Sequence, residues 1–185
     1  MKKYFFPSVG IIVLAALILL LMGRVLFCKC DVINFWSSDT KSNEQSQQFT
    51  DPYSFTHVIH GMLFYLLLWL ILGKRLSWKA RLVIAVGLES GWEILENTNF
   101  ILDRYRAETV SYGYYGDSVL NSMGDILAMV LGFWLAAKLP VKLTVFTALL
   151  IDFSLLYFIH DSLLVNIIML IHPIDAIKQW QMTGS

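Results

Sequence analysis

Residues 82–97 read LVIAVGLESGWEILEN, an apolar run that contains three glutamates. Glu89, Glu93 and Glu96 are spaced i, i+4, i+7, so a helix places all three on one face. An ionisable side chain inside a membrane helix costs on the order of 2.5–3.5 kcal/mol on insertion scales. Ser, Thr or Asn can join helices at lower cost, so three glutamates on one face favour a functional role over a structural one.

The composition of the whole chain is that of a membrane protein. Of its 185 residues, 57% are hydrophobic and 15% are charged, whereas an average soluble domain is about 45–50% apolar and about 25% charged. The 14 basic and 14 acidic residues cancel, so no net charge attracts the chain to nucleic acid. The composition excludes a disordered chain and an ordinary soluble domain, and it predicts the lipid bilayer as the surroundings.

Five segments are apolar and long enough to cross a bilayer, which takes about 20 helical residues. The first follows two lysines like a signal peptide, but it lacks the small residues of a cleavage site, which favours an uncleaved span. A further apolar stretch at 162–172 is too short to span and predicts an interfacial or re-entrant helix. The sequence therefore predicts an all-α, polytopic transmembrane helix bundle that forms one integral membrane domain over 1–185. The five predicted spans are 4–23, 55–73, 82–102, 118–137 and 143–160.

Basic residues in the loops predict the orientation of the bundle. With the N-terminus inside, eight of the 14 Lys and Arg residues lie on the inner side. The loop after the second span contributes four of them: Lys74, Arg75, Lys79 and Arg81. The loop at 28–54 is then extracytoplasmic, and its Cys28 and Cys30 could form a disulfide, stay free, bind a metal or bridge two chains.

Polar side chains lie at similar depths in four of the predicted spans. At about 1.5 Å per residue from the outer end of each span, His60 lies about 8 Å in, Asp125 about 11 Å and Glu93 about 14 Å. Glu89 is deeper and fits this layer least well. The same layer also holds Glu96, Asn121 and Asp152, and His57 precedes His60 on the same helical face.

Two imidazoles beside several carboxylates suit a divalent metal such as zinc. Proton sharing among the carboxyls, or ion pairing with Arg104 or Arg106, could relieve the same charges. Those two arginines could instead bind a phosphate head group. The predicted metal ligands are His57, His60, Glu93, Glu96 and Asp125. The predicted catalytic residues are Glu93, Glu96, Asp125, Asn121 and Arg104.

Glycines recur in the predicted spans and are interpreted as positions of close helix packing. They are Gly61, Gly87, Gly91, Gly124 and Gly132.

Three longer motifs carry a resemblance to a known family: DPYSFTH at 51–57, GWEILEN at 91–97 and GDSVLNS at 116–122. With them the chain resembles a bacterial family of uncharacterised multi-pass membrane proteins, number 0314 among the uncharacterised families. The resemblance implies a bacterial inner-membrane protein, here with a cytoplasmic N-terminus, and it implies no activity because the family has none assigned. A weaker resemblance, at the level of pattern, is to VanZ-like membrane proteins.

Three functions fit these observations, and the sequence does not decide whether the protein is an enzyme. The first is a metal-dependent intramembrane hydrolase or transferase that acts on a lipid or lipid-linked substrate. The second is a non-catalytic assembly or accessory protein whose polar helices bind an unidentified protein partner. The third is a proton-coupled carrier, which the lack of an internal repeat disfavours.

Overall fold

The long helices follow the apolar segments of the sequence, and several begin at a serine cap. The computed structural model describes residues 2–30, 32–38, 40, 42, 44–73, 75–109 and 114–183, so Lys74 lies outside it. Within these ranges there is no β-strand, which confirms the all-α prediction. The helices are α1 Lys2–Leu21, α2 Ser54–Leu72, α3 Trp78–Glu96, α4 Asn99–Glu108, α5 Val119–Lys138, α6 Val141–Ile159, α7 Leu163–Ile171 and α8 Asp175–Thr183.

Four of these helices are long and apolar enough to cross a membrane by length and composition: α1, α2, α5 and α6. The helix α3 is equally long at 19 residues, but its charged side chains keep it outside that group of four. It packs against α1, α2 and α5. The most charged long helix is therefore surrounded by apolar ones, and three of its charged side chains, Arg81, Glu89 and Glu93, are buried.

The helix predicted over 82–102 is divided in two, which corrects the continuous third span. Asn97 ends α3, where its side-chain amide donates hydrogen bonds to Glu93 O and to Asp117 Oδ2. Thr98 has extended backbone angles and precedes the first residue of α4. Side-chain amides that bond nearby backbone compete with the helical ladder. The chain therefore turns at Asn97, before the predicted end of the span.

Glycines allow α2 and α5 to pack at backbone contact. A Cβ on Gly132 would lie 1.9 Å from Val58 O, and one on Gly61 would lie 2.0 Å from Met129 O. Only glycine fits such a crossing, as is common where membrane helices pack closely. A Cβ on Gly87 or Gly91 meets nothing within 4 Å. The packing interpretation is therefore wrong at those two positions, because both face open space.

The segment between α1 and α2 folds back onto the start of α5. Ser118 N donates to Ser46 O, Gln47 Nε2 donates to Gly116 O, and Asn121 Nδ2 donates to Gln48 O. Cys28 and Cys30 are joined in a disulfide. These bonds hold a polar cover over the end of the bundle where α2 and α5 begin.

The C-terminal part of the chain adds two short helices. The predicted interfacial or re-entrant helix is α7, which packs against α4. Arg104 on α4 donates from Nε to Leu170 O at the end of α7. A positive side chain at the C-terminal end of a helix is electrostatically favourable. This bond therefore fixes α7 beside the break between α3 and α4.

Candidate functional site

Five ionisable side chains from three helices meet in one cluster, here called the polar centre. They are His57 and His60 of α2, Glu89 and Glu93 of α3, and Asp125 of α5. The spacings i, i+3 in α2 and i, i+4 in α3 point each pair toward the same neighbour. Four of the five side chains are buried, and His60 is partly buried. The folded chain thus brings together the histidines and acids that the helical periodicity placed on facing surfaces.

Glu89 accepts hydrogen bonds from both imidazoles. His57 Nδ1 lies 2.5 Å from Glu89 Oε1, and His60 Nδ1 lies 3.2 Å from the same oxygen. A carboxylate accepts only, so Nδ1 carries the hydrogen in this arrangement. In the neutral His57 ring the lone pair is then on Nε2, which faces Asp125 Oδ2 at 3.9 Å. This is the arrangement in which a carboxylate orients a metal-binding histidine.

Glu93 lies at the middle of the cluster without a hydrogen-bond partner. Its side chain is fully buried, and neither carboxylate oxygen has a hydrogen-bond partner among the described residues. The nearest imidazole nitrogen, His57 Nδ1, is 3.5 Å from Oε1 and is already bonded to Glu89. A buried polar group without a partner costs free energy. Among the described side chains only the His57 imidazole approaches Glu93 within ion-pair distance, so a proton or a bound cation would complete its surroundings.

Two overlapping triads could hold a metal ion, and His57 belongs to both. One is His57, Glu93 and Asp125, and the other is His57, His60 and Glu89. Within each triad one ligand atom per residue lies within 4.8 Å of the others. Imidazole and carboxylate are the usual ligands of catalytic zinc, which typically has three protein ligands and one open position.

A cavity of about 450 Å³ connects the polar centre to the surface of the bundle. That volume is typical of a small-molecule site. Its polar walls include His57, His60 and Asp125, and its apolar walls come from α2, α3 and α7. These two histidines and Asp125 are therefore accessible to a ligand, whereas Glu89 and Glu93 lie behind them and are fully buried.

A second layer of acids surrounds the polar centre where the helices meet the loops. Asp51 accepts hydrogen bonds from the backbone N–H groups of Tyr53 and Ser54. Burial, together with the charge of Asp117, raises the pKa of Asp51 to about 6. Burial also raises the pKa of Asp117, although Tyr114 and Asn97 donate to that carboxyl. Burial raises the pKa of Asp161 to about 7. Desolvation and crowding disfavour the charged form of each of these carboxyls.

The structure separates the remaining predicted site residues from the polar centre. Glu96 lines the cavity and is hydrogen-bonded to Tyr105, but it belongs to neither metal triad. Asn121 binds the covering loop, and Arg104 binds the end of α7. Neither of these two is among the described residues that line the cavity.

Sequence reasoning left two contributors out of the predicted site. Glu89 is outside the predicted ligand set because its predicted depth in the membrane differs from that of the other acids. Its helical spacing to Glu93 is nevertheless a signal for including it. Ser54 donates from Oγ to Asp125 Oδ1 at 2.5 Å. Nothing in the sequence distinguishes this serine from other residues at the start of a helix.

Comparison with known proteins gives a family and no activity. Residues 19–183 match the family model described as a protein of unknown function (DUF2585). A UPF0314 protein of Paracoccus denitrificans is 52% identical over 173 residues, covering 92% of this chain and 88% of the relative. A UPF0314 protein of Rhizobium meliloti is 45% identical over 93% of this chain and 87% of its own length. A UPF0314 protein of Sphingopyxis alaskensis is 44% identical over 96% of this chain and 94% of its own length. These relatives confirm the resemblance to family 0314. No solved structure matches the chain.

Proposed function

The chain belongs to the DUF2585 family of proteins of unknown function, and we propose that it is a metal-dependent intramembrane hydrolase or transferase acting on a lipid or lipid-linked substrate. The observation that carries the proposal is Glu93, a fully buried carboxylate with two unpartnered oxygens beside an imidazole and a second carboxylate. A divalent cation satisfies all three groups at once, whereas a single proton satisfies one oxygen.

The triad of His57, Glu93 and Asp125 is the better metal site of the two. Glu89 then has the supporting role, because its bond to His57 Nδ1 directs Nε2 toward the ion. Ser54 supports Asp125 in the same way through its 2.5 Å hydrogen bond. The second triad would use Glu89 as a ligand and leave Glu93 unpartnered.

A metal at this place would supply Lewis acidity and lower the pKa of a bound water toward about 7. In hydrolysis, the water oxygen forms a bond to the carbonyl or phosphoryl centre, and the bond to the leaving group breaks. A carboxylate of the centre takes the proton of the water and returns it to the leaving group. A transferase replaces that water by an acceptor hydroxyl.

The proposed setting is a bacterial inner membrane with the N-terminus in the cytoplasm. Lys74 and Arg75 between α2 and α3, with Lys79 in the first turn of α3, support this orientation, because short cytoplasmic loops and the adjoining helix ends are enriched in Lys and Arg. The polar centre then opens toward the outer leaflet.

Metal content of the purified protein tests the proposal. We expect close to one divalent ion per chain by inductively coupled plasma mass spectrometry, and loss of that ion in Glu93→Gln and His57→Ala. Asp103→Asn is the matched control, since its side chain is 73% exposed on α4. Equal metal in native protein and Glu93→Gln, or none in either, contradicts the metal site.

Catalysis is tested separately in vesicles made from bacterial lipid extract. We expect native protein, and not Glu93→Gln, to convert a lipid to products that mass spectrometry detects. If the native protein binds metal and converts no lipid, the enzyme proposal fails. Co-purification of a stoichiometric protein partner would then favour the accessory function.

A further inference from the structure

The cavity beside the polar centre has one open, apolar side along α3. Leu88, Gly91 and Leu95 line it at i, i+3, i+7, so they form a single stripe on the helix. Leu88 and Leu95 are 44% and 46% exposed. Because this stripe lies on a helix packed among spanning helices, its exposed face meets lipid chains and not water. A bilayer molecule can therefore enter the cavity sideways.

Gly91 gives the opening its width. A Cβ at Gly91 meets nothing within 4 Å, so this glycine serves no contact between helices. Trp92 and Phe64 lie on the α3 and α2 sides of the cavity, and Leu163, Ile167 and Leu170 of α7 line it as well. The result is a channel with apolar walls that leads from the bundle surface to the histidines. A volume of about 450 Å³ suits one chain and is too small for an entire two-chain phospholipid.

The polar walls of the cavity are rich in carboxyl groups. Glu96, Asp117 and Asp125 line it, and no Lys or Arg is among the described lining residues. Arg104 is engaged with the end of α7, and Arg106 pairs with Asp103. The two arginines that could have bound a phosphate are therefore both occupied elsewhere.

Aromatic rings complete the polar end. Tyr53, Tyr105 and Tyr114 line the cavity with the carboxyls, and the rings of Tyr105 and Tyr114 pack edge to face at 5.8 Å. Aromatic faces and carboxylates together are the surroundings that bind ammonium groups. An anionic head group would find no Lys or Arg among the described lining residues, whereas an amine can take up a proton from these carboxyls and hydrogen-bond to them.

We infer that the cavity binds one hydrocarbon chain of a bilayer amphiphile along the Leu88–Gly91–Leu95 stripe, with a protonated amine in its head group beside Glu96 and Asp117. The inference names the substrate class of the proposed function and rests on it. The binding itself uses the walls of the cavity, so it is measurable without metal.

Photolabelling tests this inference on the full-length protein in nanodiscs. The probes are three single-chain amphiphiles with the same diazirine-bearing chain and an ammonium, a phosphate or a glucoside head group. We expect the ammonium probe to label peptides of α3 and α7 at least fivefold more than the phosphate probe. The Gly91→Trp variant, which fills the opening, should lose that labelling.

Two controls keep the outcomes distinct. Gly87→Trp places the same side chain one helical turn away, where a Cβ also meets nothing, and it should label like native protein. Native protein stripped of metal with a chelator should label like untreated protein too, so failure of the metal site leaves the binding result standing. Equal labelling by the three probes overturns the amine assignment, and labelling that Gly91→Trp leaves unchanged overturns the cavity assignment.

Discussion

Arg81 and Glu93 are two buried charges on the same helix, and they have opposite surroundings. They lie 12 residues apart on α3, about 18 Å along its axis. Arg81 is 5% exposed and Glu93 is 0% exposed. Each has side-chain atoms without a hydrogen-bond partner among the described residues. Arg81 lies over the ring of Tyr65, with Cζ 5.1 Å from the ring centroid, while Glu93 lies beside the His57 imidazole and the Asp125 carboxyl.

The difference shows which buried charge indicates function. A guanidinium over an aromatic ring gains a cation–π interaction in place of lost solvation, and among the described residues Arg81 forms no ion pair. Tyr65 packs against the apolar core of the bundle, which consists of Leu68, Ala85, Val86, Ile126, Met129 and Phe133. Glu93 has neighbours of the types that bind metals, and its own oxygens are unsatisfied. The polar centre therefore contains a buried carboxyl that a bound ligand could satisfy, whereas the apolar core is held together by its own side chains.

Disrupting the close packing of α2 against α5 should have the largest effect on folding. Both the polar centre and the apolar core depend on this packing. In Gly132→Leu a Cβ would lie 1.9 Å from Val58 O, and relief requires the helices to separate. We expect loss of folded protein, measured as the monodisperse fraction in size-exclusion chromatography. Gly87→Leu, at an open position of α3, should remain folded. Equal yields of the two variants would contradict the packing described here.

The polar end should also respond to pH through Asp161. This carboxyl accepts hydrogen bonds from Tyr53 and Asn166, and the charge of Asp152 acts on it. Burial raises its pKa from 3.8 to about 7, so the folded state holds the proton more tightly than the unfolded state. Its stabilising contribution is present in full below pH about 4 and is lost as pH rises through about 7.

Asp161→Asn checks that pH dependence. Thermal unfolding in detergent between pH 4 and pH 8 should show native stability falling with pH by a few kcal/mol at most, and the variant should remove much of that slope. Asp103→Asn, on the exposed surface, should leave the slope unchanged. A slope that Asp161→Asn leaves intact would assign the pH dependence to other groups.

The smallest effect on the free energy of unfolding is expected from substitution of Arg81. Arg81→Met removes a cation–π contact of about 0.5–2 kcal/mol, and it also removes two buried N–H groups without partners. These changes oppose each other, so we expect unfolding to shift by less than about 1 kcal/mol. Metal content should stay at the native value. A large loss of either would mean that the two ends of α3 are coupled.

The sequence predicted the helices and the facing polar surfaces well, because both follow from helical periodicity. Glu89 is predicted to lie too deep in the membrane because the predicted third span ends at residue 102. Counted from there, Glu89 is 13 residues or about 20 Å in, but α3 ends at Glu96, which leaves seven residues or about 10 Å. The Asn97 bonds that end the helix are partly long-range, to Asp117, so the apolar run itself does not reveal them.

The sequence could not predict contacts that form only when distant parts of the chain fold back onto each other. Asn121 and Arg104 have the residue types of a catalytic site, and the structure uses them to bind the covering loop and α7. Gly91 has the residue type of a packing position, and it borders open space. In each case the residue type suggested a role, but the sequence did not show which group the residue contacts.

The most direct test is extended X-ray absorption fine structure of the protein loaded with one equivalent of zinc. The polar centre predicts only nitrogen and oxygen ligands at about 2.0–2.2 Å, with an imidazole contribution that His57→Ala reduces. Cys28 and Cys30, which lie near Glu44, would offer thiolate ligands only after reduction of their disulfide. A sulfur shell at about 2.3 Å, or zinc that Glu93→Gln binds as well as native protein does, would contradict a metal site at the polar centre.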